Sequence, residues 1–241
     1  MALRFALMGA VAFVSACVAH EAVGHGGTCL LTGGRVQLLS SVYFRCAPGR
    51  ALVDAGGPSM NLVVAAMAMW LMRRLRSPGA RTFAALAAAF NAMLGAGYLV
   101  FSAVTDHGDW AYVLRAFPAV PNGVARLLIG LLGAWLYRGA LRATRPCLPR
   151  GAPLAWAWGG GGLVESASVL LFAGPALPAL REAVQESLLA SVGLLYLAFA
   201  GSSSAQAAPV PVEGARAGWW WVGLGVLLVF LVTLGPGFRA A

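Results

Sequence analysis

The sequence predicts an all-α, polytopic membrane protein of about six or seven transmembrane helices, with a short β-like segment after the first. Three observations predict it: composition, the spacing of apolar runs, and the placement of arginine. Of 241 residues, 60% are hydrophobic and 10% charged, with a mean hydropathy of +0.78, whereas a soluble domain carries about 25% charge. The net charge of +9 does not point to nucleic acid. The basic residues, all of them arginine, sit in short clusters between apolar runs, where they act as topology signals.

A helix that crosses a bilayer needs roughly 20 mostly apolar residues. About seven runs qualify, near 5–24, 57–72, 82–104, 122–141, 155–177, 184–200 and 217–235. The first has Arg4 and then small apolar residues, as a signal peptide would. With His20 and Glu21 beside any cleavage point, and no soluble domain after it, it is expected to be a retained helix. The stretch 158–180, which takes in most of the fifth run, carries five glycines, Glu165 and two prolines; if it does not cross, the count is six. Arg73, Arg74, Arg76 and Arg81 follow the second run, and Arg138, Arg142, Arg145 and Arg150 the fourth. Both clusters are cytoplasmic if the N-terminus is, which suits a bacterial inner membrane. The segment 201–218 reads as a solvated loop.

In this topology three polar stretches meet at one membrane face. The first run ends in "HEAVGH", His20 to His25; "DAGGPSMN", Asp54 to Asn61, is a loop opening the second; "VTDHGDW", Val104 to Trp110, closes the third. All three histidines lie in this layer, as do Glu21, Asp54, Asp106 and Asp109. Ionisable groups at such depth are costly unless wet, paired or metal-bound, and His with carboxylate ligands suits zinc. In HExxH on an α-helix the two histidines are about 40° apart and face one metal. At a spacing of five, a regular helix would separate them by roughly 140°. Either a π-bulge that absorbs one residue or helix termination at Gly24 restores the geometry.

"HEAVGH" resembles the HEXXGH motif of the dipeptidyl peptidase III family, where both histidines bind zinc and the Glu is catalytic. Broader is a resemblance to the site-2 protease family of intramembrane metalloproteases, covering roughly residues 10–115. His20, Glu21, Gly24 and His25 match its early-helix motif, "GGRVQLLSSVYFRCAPGR" its extended segment, and Gly57, Pro58 and Asn61 its A-G-P-x-x-N pattern. Asp106 or Asp109 stands where that family draws its third ligand. Asp109, between Gly108 and Trp110, is favoured, with Asp106 and His107 as alternatives. The resemblance implies a metalloprotease-like core at 1–115 and additional helices at 116–241. It implies a zinc cofactor on His20, His25 and Asp109, and Glu21 as the catalytic base that activates a water against a peptide bond. The substrate would be a membrane-associated protein or peptide, with Asn61 bonding a backbone group of it.

Two other readings compete. One is a non-catalytic, protease-like or structural membrane protein in which the extra residue abolishes metal binding. The other is an ion-coupled transporter using Glu165 and Glu186. Independently, Cys29 and Cys46 share the outward loop, where an oxidising compartment permits a disulfide. Cys17, in the first helix, and Cys147, in a cytoplasmic loop, are expected to stay reduced.

Overall fold

The computed structural model of the chain describes residues 1–117, 122–200 and 218–239. Helix α1 covers Ala2–Leu31, α2 Ala51–Arg74, α3 Pro78–Thr105, α4 Asp109–Ala116 and α5 Asn122–Cys147. Then come α6 Ala152–Leu170, α7 Ala176–Phe199 and α8 Gly218–Thr233. Three short strands, β1 Arg35–Leu39, β2 Phe44–Ala47 and β3 Phe238–Arg239, form one antiparallel sheet in the order β2-β1-β3.

Among the described residues, five helices are long and apolar enough to cross a membrane: α1, α2, α3, α5 and α7. Helix α6 stands where the fifth run was expected but is not among them, because four consecutive glycines and Glu165 dilute its hydropathy. Helix α8 is apolar but shorter. Of the loop expected at 201–218, residues 201–217 lie outside the described residues, and Gly218 opens α8.

Helix α3 is the centre of the bundle. It starts on a cap, with Ser77 Oγ accepting from Ala80 N at 3.5 Å and Pro78 in the first turn, where a missing N–H costs nothing. Its small buried residues, Ala84, Ala85, Ala88, Ala89, Ala92 and Ala96, let α1, α2 and α5 approach closely, as small side chains do between membrane helices. It ends at Asp106, in the left-handed conformation at φ 58°, and Gly108 follows at φ 81°. This turn folds α4 back onto α2. Asp109 is the first residue of α4.

Two features differ from the sequence expectation. "DAGGPSMN" does not open the second helix as a loop; it lies inside α2, which begins at Ala51 and carries Pro58 in its interior. Proline has no N–H for the carbonyl four residues back and normally breaks a helix. Here the helix continues through Pro58, and its glycine-rich stretch packs against α1. The second difference is β3, near the chain end, which adds to β1. Helix α6 packs along α1, and the main core draws on Leu154, Ala157, Val164 and Leu194 as well as Phe13 and Phe90.

Cys29 and Cys46 are joined by a disulfide that ties the end of α1 to β2. Cys17 is buried and reduced; Cys147 is partly buried and reduced.

Candidate metal centre

The local backbone of α1 answers the five-residue spacing. Residues Ala19–Gly26 are π-helical, with ordinary α-helix on both sides. With i→i+5 bonds and about 4.4 residues per turn, five residues bring a side chain to within roughly 50° of its starting face. His20 and His25 therefore stand one above the other, with ring centroids 4.7 Å apart. Of the two backbone solutions, the chain uses the π-helix and does not stop at Gly24.

Glycines place α2 against this segment. A Cβ on Gly24 would fall 2.6 Å from the Gly56 carbonyl oxygen and 2.6 Å from the Gly57 Cα. A Cβ on Gly57 would fall 2.7 Å from His20 Nε2 and closer still to His25 Nε2. The absent Gly57 side chain thus leaves a cradle in front of both nitrogens.

Both imidazoles are oriented from behind. His20 Nδ1 is 2.7 Å from Asn61 Oδ1, and His25 Nδ1 donates to the Val53 carbonyl at 2.6 Å. The amide of Asn61 is fixed by its other end, where Nδ2 donates to the Ala16 carbonyl at 2.8 Å and to Asn91 Oδ1 at 3.1 Å. Oδ1 is therefore the acceptor, and His20 donates. Asn61 is fully buried, and its side chain is engaged with His20, Ala16 and Asn91.

With each Nδ1 carrying a proton, Nε2 of each neutral ring presents a lone pair. Asp109 Oδ2 lies 3.1 Å from His20 Nε2 and 3.5 Å from His25 Nε2. Three acceptors facing one point repel unless a cation stands among them. Donors about 2.0–2.2 Å from a tetrahedral zinc are separated by roughly 3.3–3.6 Å; the 3.5 Å separation falls in that range and the 3.1 Å one lies just below it. Buttressing of both rings through their far nitrogens is the usual support of metal-ligating histidine. The residues present fit zinc.

Asp109 is the residue whose carboxylate the turn brings within 3.5 Å of both histidines. Asp106 pairs with Arg115 at 3.4 Å, and His107, which lines the same cavity, is exposed with Nδ1 on the Thr105 carbonyl at 2.8 Å.

Glu21 is 3% exposed and its Oε2 has no hydrogen-bond partner among the described residues. One carboxylate oxygen of it and one nitrogen from each of His20 and His25 all lie within 4.8 Å of one another. These groups open into a cavity of about 580 Å³. Phe44 of β2 stacks on His25 at 5.4 Å, and Tyr98 of α3 leans on His20 at 4.9 Å. Tyr98, Glu182 and Glu186 also line the cavity, and sequence reasoning did not place them here. Glu186 stood out as an intramembrane acid, but no local pattern tied it to the histidines.

Compared with known protein families, curated proteins and solved structures, the chain matches none.

Proposed function

We propose that this chain is an integral membrane zinc metalloprotease resembling the site-2 protease family, cleaving a peptide bond in a membrane-associated protein. The observation that carries the proposal is the convergence of His20 Nε2, His25 Nε2 and Asp109 Oδ2, with both imidazoles held from behind. Zinc bound there supplies Lewis acidity toward a carbonyl and draws the pKa of water toward neutrality. Glu21 takes the proton of the attacking water on its unpartnered oxygen and returns it to the departing amine. Phe44 and Tyr98 wall the histidines and restrict bulk water. Strand β2, on the outer edge of the sheet and beside His25, offers its free backbone groups to an extended substrate segment.

Zinc measured by mass spectrometry on the detergent-purified protein tests the reading. About one zinc per chain is expected, lost in His20→Ala and in Asp109→Ala and kept in Glu21→Gln, with peptide hydrolysis lost in all three. A protein purified without chelators, supplied with zinc and still without it would sink the proposal and leave the non-catalytic reading.

A further inference from the structure

Charge is partitioned unevenly over this molecule. The chain has 17 arginines and only eight acidic residues. Yet the cavity at the candidate centre is lined by five carboxylates, Glu21, Asp54, Asp109, Glu182 and Glu186, and by one arginine, Arg181. Two of the five belong to the metal and the base under the proposed function, which leaves Asp54, Glu182 and Glu186. Among the described residues none of these three makes a salt bridge, although Arg181 is next in sequence to Glu182. Glu186 accepts a hydrogen bond from the Tyr98 hydroxyl. Glu21, whose buried Oε2 has no hydrogen-bond partner among the described residues, lines the same cavity.

The second observation is a larger, apolar cavity of about 1090 Å³. It shares Tyr98, Phe101, Glu182, Gln185 and Glu186 with the first, and continues along Tyr137, Leu141 and Tyr196 of α5 and α7. Glu182 and Glu186, four residues apart on α7, stand at the junction. The π-helical turn Gln185–Leu189 begins between them. A ligand lying across the junction meets an apolar wall on one side and carboxylates on the other.

We propose that Glu182 and Glu186 form a subsite for a lysine or arginine side chain of the substrate, immediately beside an apolar stretch held in the larger cavity. The proposal rests on the metalloprotease reading and names its substrate class: a peptide in which a basic residue adjoins a hydrophobic segment. A basic side chain there gains charge-assisted hydrogen bonds to two acids that make no salt bridge among the described residues, although Arg181 and His107 lie near enough to act on Glu182. An acidic one meets like charge in a poorly solvated site.

The test is binding, read without turnover. Full-length protein in lipid nanodiscs is titrated with two fluorescently labelled peptides of one apolar sequence, flanked by lysine in one and glutamate in the other, and zinc is measured in the same samples. The lysine peptide is expected to bind roughly tenfold tighter or better, about the worth of one charge-assisted contact, and to keep most of that margin in high salt, since poorly solvated pairs are weakly screened. In Glu182→Gln/Glu186→Gln the margin disappears while zinc content stays unchanged. Glu182→Gln alone, which leaves the Tyr98 contact intact, must also reduce it. Equal affinity for the two peptides, or a margin that survives the double substitution, overturns the proposal. So does calcium binding that the double variant loses while peptide preference persists. A zinc-free protein that still prefers lysine would refute the metalloprotease reading and leave the subsite standing.

Discussion

Asn61 Oδ1 accepts the Nδ1 proton of His20 at 2.7 Å, and this single bond couples the candidate centre to the middle of the bundle. Asn61 Nδ2 bonds Asn91, whose own amide reaches the Ala87 carbonyl at 2.9 Å and Ser15 Oγ at 3.4 Å. Three helices, α1, α2 and α3, therefore set the direction of one imidazole. Replacing Asn61 by Leu keeps similar volume but removes the acceptor, so the His20 ring is free to turn or to change tautomer. Zinc affinity is expected to fall by about 10–100-fold, the usual cost of losing a partner behind a metal-ligating histidine. Competition against a chelator of known affinity measures it. Unchanged affinity would mean that packing alone orients His20.

Gly57 gives a second, steric prediction. A methyl at this position would occupy the space in front of both Nε2 atoms, so Gly57→Ala is expected to abolish zinc binding while the bundle still forms. Gly79 serves as a control, since a Cβ there meets nothing within 4 Å. Gly79→Ala should keep its zinc and unfold no earlier than the parent. Zinc retained in Gly57→Ala would place the ion away from the point where the three donors converge.

Much of this centre was legible in the sequence, and the reason is chemical. Ionisable residues inside apolar runs are rare, so "HEAVGH" and "TDHGDW" stood out, and a His–His spacing of five restricted the backbone to two solutions, of which the π-helix is the one found. Other features carried no such local mark. Gly56, Gly57 and Pro58 usually signal a loop, and only their contact with α1 explains why α2 continues through them. Strand β3 is two residues long and pairs with β1 some 200 positions earlier; a contact so distant leaves no pattern in its own neighbourhood. The approach of Glu182 and Glu186 to the histidines depends on how α7 packs, and neither periodicity nor spacing encodes that.

The disulfide makes a prediction about stability and about thiols. Cys29 and Cys46 are 17 positions apart, and closing a loop of that size is worth about 3 kcal/mol on a chain-entropy account. The Cys29→Ser/Cys46→Ser protein is expected to unfold at lower temperature, with zinc less firmly held because β2 and Phe44 lose their tether to α1. Denatured without reductant, the parent should alkylate at Cys17 and Cys147 only; with reductant, at all four cysteines. Four reactive thiols in the unreduced sample would show that the bond does not form in the cell that made the protein.

Glu165 separates the protease reading from the transporter reading. It is fully buried on α6, and neither carboxylate oxygen has a hydrogen-bond partner among the described residues. The Ser41 hydroxyl approaches the carboxyl without reaching hydrogen-bond geometry; it lies 2.7 Å from Ser168 Oγ, which itself donates to the Glu165 backbone carbonyl at 2.7 Å. A buried polar group without a partner costs about 1–3 kcal/mol, and Leu fills nearly the same volume without that cost. Glu165→Leu is therefore expected to raise the thermal unfolding temperature and to leave zinc content and peptide hydrolysis unchanged. In an ion-coupled transporter the same substitution would abolish function while His20→Ala would not. Thermal scans, zinc analysis and hydrolysis on both variants decide between them, and a Glu165→Leu protein that loses hydrolysis but keeps its zinc would count against the protease mechanism as drawn.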